Sequence, residues 1–285
     1  MSCPCPRFWN QRYIRLFPGK ESTTIGRSTQ GSWGLRRGYA SALINVAVPE
    51  SARIDLAQTK VSTTKLIFEK QGLHVLWLAC LISVLAWLAP DAVSDGFYWG
   101  VRTPTWFWLA IAVAVLHQGW VWLCWRLELH TQWVTRTFGR RGFTSYGGGF
   151  ALLAFTRVGA LIGLALADRG TLPVNETFLD VLATVLLAPI GYLFYSVARY
   201  FRFRRALGAD HFDPSYRSKP LETRGIFRFT NNGMYIFGLL IVWLPALYAA
   251  SQAALLAAAF NHIYIWVHYY RTELPDMKRI HGKSE

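Results

Sequence analysis

The chain has 285 residues, 53% of them hydrophobic and 16% charged, with 13 Trp and a mean hydropathy of +0.22. Those figures exclude an intrinsically disordered chain, a collagen-like repeat and a small disulfide scaffold. The formal charge of +14 invites a nucleic-acid reading, but the basic residues lie between long apolar blocks, which is the pattern of a membrane protein. Cys3, Cys5, Cys80 and Cys124 have no metal-ligand spacing, and no disulfide framework or zinc site is expected from them.

The first 55 residues are rich in Arg, Ser, Thr and Gly, poor in acids and without a long apolar stretch, so they do not read as a secretory signal peptide. They fit an organelle transit peptide, a basic disordered arm or an over-long start. A spanning helix needs about 17–25 mostly apolar residues. The blocks that approach this are His74 to Ala89 (closed by Pro90), Thr105 to Trp125, Gly148 to Ala167, and Phe178 to Tyr200, where Pro189 and Gly191 predict a kink. The last block, Met234 to Tyr270, is too long for one crossing and has Ser251-Gln252 in its middle. It divides into a helical hairpin, Met234 to Ala249 and Gln252 to Tyr270. The expected fold is therefore an all-α polytopic membrane helix bundle of about six transmembrane helices. Its parts would be a basic segment 1–73, a four-helix region 74–200, and a connector, hairpin and tail over 201–285.

Loop charge orients this bundle. With both termini cytoplasmic, the inner segments carry 27 of the 30 Lys and Arg, which is the positive-inside asymmetry. Arg157 falls inside a span. It and Asp180 read as structurally paired residues, and His117 as a packed imidazole.

Polar residues that are expensive in lipid concentrate in the C-terminal third. On the last helix, Asn261, Tyr264, His268 and Arg271 recur at spacings of three or four and share one face. A polar face of this kind must meet protein, water or ligand.

The stretch 225–238, Gly-Ile-Phe-Arg-Phe-Thr-Asn-Asn-Gly-Met-Tyr-Ile-Phe-Gly, resembles the signature of the integral-membrane methyltransferases. That group includes phosphatidylethanolamine N-methyltransferases and isoprenylcysteine carboxyl methyltransferases. The likeness covers about Leu207 to Gly282 and extends through the hairpin to its ending, Tyr269-Tyr270-Arg271-Thr272-Glu273-Leu274-Pro275-Asp276-Met277. Two departures stand out: Asn231-Asn232-Gly233 replaces Arg-His-Pro, and Thr272-Glu273 replaces an acidic pair. The Asn-x-Met-Tyr form is closer to the phosphatidylethanolamine branch.

The resemblance implies S-adenosylmethionine bound between connector and hairpin, and a lipid acceptor entering from the bilayer. It implies cofactor contacts from Gly208, Arg228, Asn232, Met234, Tyr235, His268, Arg271 and Glu273. Glu273 would take the cofactor's ammonium, and Arg271, Arg224 or Arg228 its carboxylate. An amine acceptor must lose a proton before it attacks, so His211, Asp210 or His268 would accept it, with Glu273 also counted among the catalytic residues. The acceptor would be the amine of phosphatidylethanolamine. The alternatives are a prenylated cysteine carboxylate or another lipophilic thiol or acid. A six-span transporter and a lipid-binding scaffold are the readings without catalysis.

Overall fold

The computed structural model describes residues 63–282. The expectations for the basic arm up to residue 62 lie outside the described residues. Nearly everything described is helical, as composition and block length require, and the one sheet is a two-stranded hairpin.

Helix α1 (Gln71–Ala92) leads to strands β1 (Phe97–Tyr98) and β2 (Val101–Arg102). Trp99 and Gly100 join these strands with φ of 53° and 72°, the two positive angles of a tight primed turn. Long helix α2 (Thr103–Thr131) is followed by short α3 (Trp133–Phe138), α4 (Gly142–Ala167) and α5 (Glu176–Ser196). The connector holds two single turns, α6 (Phe203–Ala206) and α7 (Ala209–Phe212). The C-terminal part comprises α8 (Gly233–Ile236), α9 (Leu244–Tyr248), α10 (Gln252–His268) and α11 (Leu274–His281).

Among the described residues, four helical stretches are long and apolar enough to cross a membrane: Thr63–Ala92, Thr103–Thr131, Trp133–Ala167 and Glu176–Phe201. Their outward faces carry Val75, Trp77, Trp87, Phe155 and Val185, all exposed, which suits contact with lipid. The expected boundaries shift; α2, for one, runs on to Thr131, six residues past Trp125. Pro90 does not close the first helix, which continues to Ala92; the proline withholds an N–H from the Ala86 carbonyl, and the helix runs only two residues beyond it. The third helix starts at Gly142 instead of Gly148.

The hairpin differs more. Its second arm is the continuous helix α10, but the first arm is broken into α8, a 3₁₀ stretch (Gly238–Val242) and α9. Two residues account for the breaks. Pro245 has no N–H for the Ile241 carbonyl, and Gly238 packs so closely on α5 that a Cβ there would lie 2.9 Å from Leu193 Cδ2. The apolar stretch Gly233–Tyr248 is accordingly shorter than the four spans.

The core runs along the middle of the bundle. Ala253, Ala254, Ala257 and Ala258 of α10 are fully buried and lie against Phe107, Ala110 and Ala114 of α2 and Leu161 and Leu164 of α4. Small side chains let the backbones approach, which is how helices associate where lipid supplies no hydrophobic drive. The hairpin turn is fastened to the end of α4 by Asp168, whose Oδ2 accepts from Ser251 Oγ at 2.8 Å and from Ala253 N at 2.9 Å. Fixing that end sets the position of the far end of α10, where the candidate site lies.

Candidate functional site

At the far end of α10, the connector folds across the ends of α2 and α4. Gly208 makes this possible. Its φ is +81°, and a Cβ would stand 2.4 Å from the Trp125 ring, so only glycine lets the chain turn against that indole. Trp125 is held in turn by donating from Nε1 to Tyr146 Oη at 2.8 Å. His211 then stacks on Trp125, with ring centroids 4.2 Å apart and planes at 19°. Gly225 does a related task at the other end of the connector. Its φ is +63°, a Cβ would meet Ser196 Oγ at 2.5 Å, and the next amide, Ile226 N, donates to that Oγ at 3.0 Å.

Two adjoining cavities lie beneath the connector. The inner one, about 180 Å³, is walled by His117, Phe150, Arg157 and His268 among others. The outer one, about 40 Å³, is walled by Arg205, Gly208, Asp210, His211 and Glu273. Trp125, Ala206, Met234 and Tyr235 belong to both. The structure therefore gathers Gly208, Asp210, His211, Met234, Tyr235, His268 and Glu273 around one space.

Other predicted residues lie elsewhere. Arg228 is exposed, its guanidinium 4.9 Å from the Phe229 ring centre, and it lines neither cavity. Arg224 is clamped on Glu222 through Nε at 2.8 Å and Nη2 at 2.9 Å. Arg271 also lines neither cavity; its carbonyl accepts from Gln71 Nε2 at 3.4 Å. Asn232 lines neither cavity; its backbone N–H donates to Thr230 Oγ1 at 3.1 Å.

The outer cavity is rich in charge. Asp210 Oδ1 accepts from Arg205 Nη2 at 3.2 Å and lies 3.0 Å from His281 Nε2, so the tail helix α11 is tied to the connector. That pairing occupies Asp210. Asp276, fully buried, pairs through Oδ2 with Arg126 Nε at 2.8 Å and lies 3.5 Å from His211 Nε2. Among the described residues, Glu273 Oε2 as an acceptor and Arg205 Nε as a donor have no hydrogen-bond partner, and neither do the two ring nitrogens of His211. Enclosure, with the Asp276 and Asp210 carboxylates close by, pushes Glu273 up to about 8.

Sequence reasoning missed Trp125, Arg126, Arg205 and Asp276. Trp125 and Arg126 read as the interfacial belt and the basic loop that follow any span. Asp276 had one signal: it stands three residues after Glu273, so both reach one side of the chain. Thr272, in place of the second acid, is buried and accepts through Oγ1 from Gln71 Nε2 at 3.2 Å. The carboxylates that line the outer cavity are Asp210 and Glu273, and Asp276 lies beside His211.

The predicted polar face on α10 is turned into the protein. Asn261, Tyr264 and His268 are buried, and Arg157 Nε donates to Asn261 Oδ1. Asp180, expected to be paired, is exposed and forms no ion pair among the described residues.

A model of the phospholipid methyltransferase family matches residues 179–284. The match begins in α5, takes in the whole connector and hairpin, and agrees with the integral-membrane methyltransferase family that residues 225–238 resemble. With the long apolar helices it supports an integral-membrane methyltransferase. No curated protein and no solved structure matches the chain.

Proposed function

We propose that the protein transfers a methyl group from S-adenosylmethionine to the amine of phosphatidylethanolamine, at the cytoplasmic face of a membrane that holds both termini on that side. The observation that carries this reading is the pair of unpartnered groups in one small cavity, the Glu273 Oε2 acceptor and the Arg205 Nε donor. An amino acid headgroup offers the converse pair, an ammonium and a carboxylate. The residues present thus fit the donor, with Arg205 in the place that Arg271, Arg224 or Arg228 was expected to fill.

S-adenosylmethionine supplies an electrophilic methyl on a sulfonium. The protein's part is alignment and exclusion of water. Glu273 gives up its proton as the donor binds and holds the ammonium, and Arg205 holds the carboxylate, by charge-assisted hydrogen bonds. Trp125 and Tyr235, shared by both cavities, present aromatic walls on which a cationic nitrogen rests favourably. An ammonium acceptor must first be deprotonated. His211 is buried, and neither ring nitrogen has a hydrogen-bond partner. Asp276 beside Nε2 favours the tautomer with its proton there, so Nδ1 is the atom that takes the acceptor's proton. Arg126 and Trp125 keep the imidazole in place from two sides. The buried carboxylate–imidazole pair favours the amine over a carboxylate acceptor, which needs no base.

Membranes containing the protein, given donor labelled in the methyl group, are expected to place label in a chloroform-soluble, choline-type phospholipid. Label in base-labile methyl esters would reassign the acceptor to a carboxylate, and an absence of label in any lipid would overturn the reading.

A further inference from the structure

Arg157 lies in α4, 11 residues and about 16 Å along the helix axis from Tyr146, and so deep in a membrane-spanning segment. It is buried, and among the described residues no carboxylate is within ion-pair range of it. Among the described residues its hydrogen bonds go to Asn261, from Nε to Oδ1 and from Nη2 to the backbone oxygen at 3.3 Å. Both of these acceptors are neutral. A full positive charge enclosed this way is costly unless an anion reaches it.

The charge faces the place where an anion would come. Arg157 walls the inner cavity, as do His117 and His268, whose four ring nitrogens have no hydrogen-bond partner among the described residues. None of the three residues is needed for the donor's carboxylate, which Arg205 Nε serves in the outer cavity. Two of them, Arg157 and His117, precede the segment that matches the methyltransferase family.

We infer that Arg157, with His117 beside it, is the receptor for the phosphodiester of the acceptor lipid and sets the enzyme's preference for phosphate-bearing amines. The inference rests on the functional reading above for the role of that lipid, but its test does not. Arg157 Nη1 and one imidazole N–H donate to the phosphate oxygens, and Asn261 holds the guanidinium in position. The lipid is thereby gripped by its anion in the inner cavity while its amine lies toward Tyr235 and His211. Such a site would discriminate against amines of equal chain length that lack phosphate, because the cation would then stay unpaired.

The test uses the full chain, purified and stripped of lipid, with dioctanoylphosphatidylethanolamine and dioctanoylglycerol as probes, and S-adenosylhomocysteine as the check on the other cavity. The native protein is expected to bind the phosphate-bearing probe about tenfold or more tighter than the glycerol, the gain of one or two charged hydrogen bonds. Arg157→Gln should abolish that preference, Arg157→Lys should keep part of it, and both should bind S-adenosylhomocysteine as the native protein does. A preference that survives in Arg157→Gln overturns the inference. So does a parallel loss of S-adenosylhomocysteine affinity, which would give the anion site to the donor. Should the native protein bind no S-adenosylhomocysteine, the methyltransferase reading fails, while the lipid comparison still decides the role of Arg157. An Arg157 that served only to pin α4 to α10 would lower the melting temperature on replacement without changing the ratio of the two lipids.

Discussion

A carboxyl group enclosed beside two other carboxylates resists ionisation, and Glu273 is in that position, pushed up to about 8 from 4.5. Between those two pH values the folded protein holds a proton on Glu273 that the unfolded chain has released. The folded state binds more protons there, so stability falls as pH rises through the interval. Glu273→Gln carries no such charge. The melting temperature of the native protein is therefore expected to decline relative to Glu273→Gln from pH 4.5 to 8, leaving the variant the more stable above it. Parallel curves would show that Glu273 ionises freely. The motif made His211, Tyr235 and Glu273 legible in the sequence, because they lie in one stretch at family spacing. Arg205 and Asp276 were not legible as site residues. Their roles come from partners far away in the chain, and no local period encodes those.

Among the elements, the ends of α1, α2 and α11 are joined by buried polar links. Arg126 of α2 pairs with Asp276 of α11, both side chains fully enclosed, and Gln71 of α1 donates to Thr272 just before α11. Removing one member of such a pair strands a buried charge. Asp276→Asn is expected to destabilise the protein by about 3–5 kcal/mol. Replacing both partners with apolar residues of similar size, Arg126→Met with Asp276→Leu, should recover most of that loss. Denaturant unfolding of the three forms tests this; a double variant no more stable than Asp276→Asn would deny the pairing its role. Helices α2, α4 and α5 could be read from apolar block length alone. The first hairpin arm could not, because its apolar content is that of a helix while Pro245 and the Gly238 contact with Leu193 break it.

At the scale of the molecule, the family match begins in α5, yet the cavity walls draw on helices that precede it. Trp125, His117 and Arg157 come from α2 and α4, so the N-terminal helices supply half of the walls around a site whose signature lies in the C-terminal third. Membrane character and the place of the signature follow from block length and motif, which are local. The union of two helix pairs into one cavity is tertiary, fixed by the alanine face of α10 and by the Asp168 clasp at its far end. On the proposed function, the outer cavity, lined by Arg205 and Glu273, holds the methyl donor by its amino acid group. Calorimetric titration of the detergent-purified full chain with S-adenosylhomocysteine measures it directly. A single site is expected, weakened at least about tenfold by Glu273→Gln through loss of one charge-assisted bond. Equal affinity in the native protein and the variant, or no binding by either, would contradict it.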